Sequence, residues 1–274
     1  MCVNPYRKEK GMLIDFHTHC FADSIHEKAI EALTELSGGY KPQHDGSLAG
    51  LLDSMDKAGV DISVVHSIAT KEKQTTVIND WVISIQSASI VPFGTIHPDF
   101  ADWEREIERL KAAGIKGIKF HPDYQGFFVD DRKMYPIYEK TAEEGLIALF
   151  HAGEDIAFPD IVRNTPARFK KVLEDIPELC AVGAHMGGHL MFDEVRQHLA
   201  GRDLYIDTSF AHYVLGDEGF TSLVKKHGTE HVLFGSDSPW DDAGGLFKTI
   251  DRLDFTTGEK EQIFYKNAQR LLKI

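Results

Sequence analysis

Leu13-Ile14-Asp15-Phe16-His17-Thr18-His19 is an apolar run near the N-terminus that ends in two imidazoles. Side chains alternate faces along a strand, so Asp15, His17 and His19 are expected to point the same way. Two histidines one residue apart on one face can grip a single metal ion, because neutral imidazole nitrogen suits zinc and its neighbours. A polar strand end carries His-x-His by chance often enough that the rest of the chain must answer it.

The answer is a rhythm. Downstream, apolar and β-branched segments of strand length alternate with amphipathic segments of helix length up to the C-terminus. Strands are expected at 62–68, 90–97, 115–121, 146–151, 180–185, 204–207 and 231–235, which makes eight with 13–19. Helices are expected at 23–36, 47–58, 75–87, 99–113, 131–144, 159–174, 189–200 and 217–227. A last helix is expected over 256–272, where Thr256 and Glu259 have the spacing of a capping box. Eight apolar strands separated by helices are the arithmetic of a parallel sheet covered on its outside, and 274 residues suit a (β/α)8 TIM barrel. The expectation is therefore a single α/β barrel domain over residues 12–274, after an N-terminal tail of residues 1–11. An open doubly wound sheet would carry a G-x-G-x-x-G turn after the first strand, and none stands there.

Composition narrows the function classes. With 42% hydrophobic and 27% charged residues the chain reads as an ordinary globular protein, and it holds no apolar run long enough to span a bilayer. The first ten residues are polar and no signal core follows them, so secretion is not expected. Three cysteines (Cys2, Cys20 and Cys180) without a C-x-x-C pair fit a reducing cytoplasm. Cys20 follows His19 but faces the other way, as a small buried residue. A formal charge of −13 would repel nucleic acid and anionic membranes, which leaves a small molecule as the expected partner.

In such a barrel the chemistry sits at the C-terminal ends of the strands. His17, His19, His66, His97, His121, His151 and His185 all fall there, together with Lys119, Asp207 and Asp237. A metal site needs three or four protein groups and an open position. The most economical set is His17, His19, His151 and Asp237, with His185 as a second-site ligand or proton donor. His121 and Lys119 are expected to face substrate, while His66 and His97 read as hydrogen-bonded wall residues. Asp207 reads equally as a site residue or a helix cap, and Asp99 as the N-cap of the helix after His97-Pro98. The stretches 38–46 and 123–130 look like active-face loops, and Arg163 is a second cation that could reach the face. Gly187-Gly188 and Gly244-Gly245 read as turns.

Six stretches in this order resemble the amidohydrolase superfamily, in its branch of small metal-dependent hydrolases and decarboxylases related to aminocarboxymuconate semialdehyde decarboxylase. They are Asp15-Phe16-His17-Thr18-His19, Gly117-Ile118-Lys119-Phe120-His121-Pro122, Phe150-His151-Ala152-Gly153, Ala184-His185-Met186-Gly187-Gly188, Phe234-Gly235-Ser236-Asp237-Ser238-Pro239-Trp240 and Asn267-Ala268-Gln269-Arg270-Leu271-Leu272. The resemblance implies that His17, His19 and His151 bind metal, and that His185 binds a second metal or holds the reactive water. Asp237 would be ligand and general base, and Trp240 would contact substrate. In several superfamily members a lysine at the fourth strand end becomes a carbamate bridging two metals, and Lys119 stands in that place. Its alternative is a free amine paired with Asp237 or with a substrate carboxylate, which this branch favours. The resemblance also suggests a homodimer.

The expected activity is hydrolysis of an amide, ester or lactone of a small substrate, with or without a carboxylate, by metal-activated water, with Asp237 moving the proton. The expected cofactor is one divalent ion, zinc or alternatively manganese, with two ions as the alternative count. Non-oxidative decarboxylation on the same scaffold is the rival, and the shortness of the chain inclines the reading toward hydrolysis. A third possibility is a metal-binding barrel without catalysis, which would have a closed ligand set.

Overall fold

The computed structural model describes residues 11–274. The expected N-terminal tail, apart from Gly11, lies outside the described residues, so the boundary at residue 12 is not defined by it. Eight strands run in chain order in one parallel sheet: β1 (Ile14–Thr18), β2 (Ile62–His66), β3 (Ile90–Thr95), β4 (Gly117–Phe120), β5 (Ile147–Phe150), β6 (Ala181–Gly183), β7 (Tyr205–Asp207) and β8 (Val232–Leu233). The chain leaving β8 returns to β1. Phe16 N–H donates to Phe234 O at 2.7 Å, Asp237 N–H to His17 O at 2.7 Å and His19 N–H to Ser238 O at 2.6 Å, which closes the (β/α)8 barrel.

Helices α1 (His26–Leu36) and α2 (Leu48–Ala58) follow β1; α3 (Thr75–Ser84) and α4 (Trp103–Ala112) follow β2 and β3. Short α5 (Pro122–Gln125) and then α6 (Tyr135–Glu143) follow β4. Next come α7 (Pro166–Asp175), α8 (Phe192–His198) and α9 (His212–His227), and α10 (Ala243–Asp251), α11 (Thr257–Glu261) and α12 (Asn267–Leu272) finish the chain. The expected capping box is present: the Thr256 hydroxyl accepts from Glu259 N–H, and the Glu259 carboxylate accepts from Thr256 N–H.

Two apolar layers hold the barrel. Ile14, Phe16, Val64, Phe93, Leu149, Val182, Ala184 and Leu233 form an inner cluster, which plugs the lumen beneath the strand ends. Val65, Ile118, Phe120, Tyr138, Phe150 and Phe169 belong to the larger cluster between strands and helices, and buried Cys20 lies in it as expected.

Several expectations change. Helix α10 replaces the turn read at Gly244-Gly245, because the Asp242 carboxylate accepts from both glycine N–H groups and caps the helix. Asp99 does not cap α4, which begins later at Trp103; its carboxylate pairs with Lys133 at 3.0 Å instead. Helix α7 starts at Pro166 rather than 159, where Thr165 accepts from Arg168 N–H and the proline takes a first-turn position that needs no donor. The strands also stop short of their histidines, so His97, His121, His151 and His185 stand just beyond the strand ends.

Candidate metal centre and active-site cavity

The site begins at an irregularity in β1. Register against β2 shifts between Asp15 and Thr18, so simple alternation does not run through this strand. Phe16 joins the inner core, while His17 and His19 are brought to one place. Asp15 turns to Ser236, accepting from its N–H at 2.9 Å and its hydroxyl at 2.5 Å, and so pins β1 to the chain after β8.

The second nitrogen of each histidine fixes what the first presents. His17 Nδ1 stands 2.8 Å from Asp207 Oδ2, and His19 Nδ1 stands 2.9 Å from the His66 carbonyl. Both partners are acceptors, so each Nδ1 carries the hydrogen and each Nε2 presents an electron pair. The two Nε2 atoms are 3.2 Å apart, and Asp237 Oδ1 is 3.2 Å from one and 3.0 Å from the other. Three electron-rich atoms thus crowd one point, which is unfavourable without positive charge there. Lys119 Nζ reaches His17 Nε2 at 3.3 Å, and a divalent cation would satisfy all three atoms at once. The donor set therefore fits a metal. Asp237 itself adopts a left-handed backbone, φ +67°, held by its N–H to the His17 carbonyl.

His151 stands apart from this triad. It groups with His121 and Asp155, its ring stacked on that of His121 with centroids 4.1 Å apart. His121 Nε2 donates to Asp155 Oδ2 at 3.3 Å, whereas His151 Nε2 is buried and without a hydrogen-bond partner. His151 Nδ1 lies 3.2 Å from His185 Nε2, and the His185 ring centroid is 5.2 Å from that of His17. Burial holds the imidazoles of His17, His66, His151 and His185 well below the usual histidine range, with nearby Lys119 and neighbouring imidazoles adding to it. Neutral imidazole is the form that binds metal. Burial also lowers the Lys119 amine to about 8, against the pull of Asp237, Asp207 and Asp155.

The sequence-derived candidates His17, His19, Lys119, His121, His151, His185, Asp237 and Trp240 line one cavity of about 420 Å³. His66 also lines it, with Nε2 donating to the Phe16 carbonyl at 2.8 Å. Both expected loops contribute, through Tyr40 and Tyr124. Arg163 is not among the lining residues; it is tied to Asp123 at 3.4 Å. Sequence reasoning did not find Asp155, four residues beyond His151, or His189 and Phe210. It gave no partner to Asp207, which is fully buried and orients His17.

Fold and site together define a barrel enzyme built around a divalent metal at the C-terminal mouth of its strands. A family model described as amidohydrolase matches residues 14–274, and the chain belongs to that family. A search of curated proteins by sequence finds no match. Among solved structures, the chain is similar to an uncharacterized TIM-barrel protein from Bordetella bronchiseptica (20% identity, 96% of this chain and 99% of that one, TM-score 0.75). It is similar to 5-carboxyvanillate decarboxylase from Sphingomonas paucimobilis (18% identity, 97% and 100% covered, TM-score 0.72). A third is 5-carboxyvanillate decarboxylase from Novosphingobium aromaticivorans, complexed with manganese and 4-hydroxy-3-methoxy-5-nitrobenzoic acid (16% identity, 97% and 97% covered, TM-score 0.72).

Proposed function

We propose that the protein is a metal-dependent, non-oxidative decarboxylase of a small aromatic carboxylic acid. The observation that carries this reading is the buried Lys119 amine beside the His17, His19 and Asp237 triad, in a cavity walled by Phe21, Tyr40, Tyr124, Phe210 and Trp240. Two of the similar solved structures are named decarboxylases of an aromatic acid, which supports the same substrate class.

In this reading His17, His19 and Asp237 would hold the ion, either manganese or zinc, with His151 as the further ligand nearest to hand, from the neighbouring group with His121 and Asp155. When bound, it supplies Lewis-acid polarisation and neutralises negative charge on the substrate. The Lys119 ammonium pairs with a substrate carboxylate, and His121 meets the substrate beside it. The aromatic walls take up the ring and keep water out. As the bond to the carboxylate breaks, its electron pair stays on the ring carbon. Asp237 passes to that carbon a proton drawn from an acidic group of the substrate or from solvent, and carbon dioxide leaves. The free thiols Cys20 and Cys180 suit a cytoplasmic setting for this reaction.

Hydrolysis of an amide, ester or lactone is the second reading. The placement of Asp237 against both histidine nitrogens favours it, because the same carboxylate would take the proton of an attacking water and pass it to the leaving group. Product analysis separates them. Protein loaded with manganese or zinc is incubated with hydroxylated aromatic acids and, separately, with lactones, esters and amides. Release of carbon dioxide with a shortened acid is expected. Addition of water to the second group without gas from the first would establish hydrolysis instead.

A further inference from the structure

We infer that Ser209 is a positioning residue that sets which nitrogen carries the hydrogen in two imidazoles, His185 directly and His151 through it, so that His151 presents a bare Nε2 electron pair beside Asp155. The inference deepens the metal reading above and rests on it only for the use made of that electron pair.

The argument starts at Asp207. Its Oδ1 accepts from His185 N–H at 3.0 Å, from Ser209 N–H at 3.1 Å and from the Ser209 hydroxyl at 2.5 Å, while its Oδ2 accepts from His17 Nδ1 at 2.8 Å. Four donors converge on it, so the group is a carboxylate and the Ser209 hydrogen points at it. The reverse orientation would set two bare oxygens 2.5 Å apart.

With its hydrogen committed, Ser209 Oγ can only accept from His185 Nδ1, 2.8 Å away. His185 therefore carries its hydrogen on Nδ1, and its Nε2 accepts. The atom facing that Nε2 is His151 Nδ1 at 3.2 Å, so His151 also carries its hydrogen on Nδ1. What remains is His151 Nε2, buried, without a hydrogen-bond partner and 3.7 Å from the acceptor Asp155 Oδ2. A buried electron pair turned toward a carboxylate calls for a cation between or beside them. The relay runs Asp207, Ser209, His185, His151, and it leaves just beyond β5 the same kind of bare Nε2 that Asp207 and the His66 carbonyl leave at the end of β1.

The test reads the histidines directly. Protein carrying 15N-labelled histidine is stripped of metal, and the hydrogen-bearing nitrogen of His151 and His185 is assigned by NMR in the wild type, Ser209→Ala and Ser209→Thr. The expected result is Nδ1–H on both residues in the wild type and the threonine variant, with the pattern lost in the alanine variant. Manganese or zinc affinity, measured by chelator competition, should fall about 10–100-fold in Ser209→Ala and recover in Ser209→Thr. His151 found with Nε2–H in the wild type would overturn the relay even if no variant folds. An alanine variant with both patterns unchanged would overturn it too. Wild-type protein that shows the expected pattern but takes up no metal would uphold the relay and remove the metal reading.

Discussion

Asp207 Oδ2 stands 2.8 Å from His17 Nδ1, a fully buried contact that ties the end of β7 to the first histidine of β1. Carboxylates in this position fix the tautomer and the tilt of an imidazole and raise its basicity. Asp207→Ala should therefore weaken metal affinity about 10–100-fold, read by chelator competition. It should also lower the urea midpoint, because each buried donor left unpaired costs about 1–3 kcal/mol. Unchanged metal affinity would mean that Asp207 serves the fold alone.

Lys119 separates one metal from two. Lys119→Met keeps the length of the side chain and removes its charge. On our account elemental analysis finds the wild-type metal content, while kcat/KM for a carboxylated substrate falls about 10–100-fold, the worth of a hydrogen bond to a charged group. A drop from two metal equivalents to one in this variant would instead show a lysine-bridged pair.

Gly153 connects the loops that follow β5 and β6. Its φ is +86°, and a Cβ there would lie 2.1 Å from the His189 backbone nitrogen. Gly153→Ala must bear at least the roughly 1–2 kcal/mol that a side chain costs in this conformation, and must displace the backbone beside His189 as well. Chemical denaturation should show a clearly lower midpoint. A wild-type midpoint would contradict the tight packing of these two loops.

Asp217 gives a pH signature away from the site. Its hydrogen bonds to Arg252 and His212, with their charges, lower the carboxyl from 3.8 to about 2. Because the folded value is depressed, the stability it contributes is fully present above pH 3.8 and is lost as pH falls through about 2. Asp217→Asn should lower the urea midpoint at pH 5, and the difference should shrink toward zero near pH 2. Salt should also reduce it at pH 5, since the group is exposed.

Much of this was legible because a barrel converts chain order into space. Each strand end faces the same mouth, so the histidines quoted along the sequence, His97 excepted, fall into one cavity without any need to know the loops. What alternation could not supply was the pairing. Alternation foresaw that His17 and His19 would gather, but not the shift in register within β1 that sets Phe16 in the inner cluster as well. Asp207 read equally as a site residue or a cap because only the neighbouring strands reveal its partner 190 residues away. Helix α10 was hidden by Gly244-Gly245, whose turn-like composition is outweighed by one capping carboxylate. Asp155 and His189 lie on loops, whose course depends on tertiary contacts such as Glu154 N–H to the His189 carbonyl at 3.0 Å.

The central claim is that His17, His19 and Asp237 gather a divalent ion, and metal content per chain tests it most directly. Protein purified without chelator, together with His17→Ala, is measured by elemental analysis before and after manganese or zinc is added. The account predicts about one equivalent in the wild type and its loss in the variant. No metal in any wild-type preparation, even after manganese or zinc is added, would contradict it.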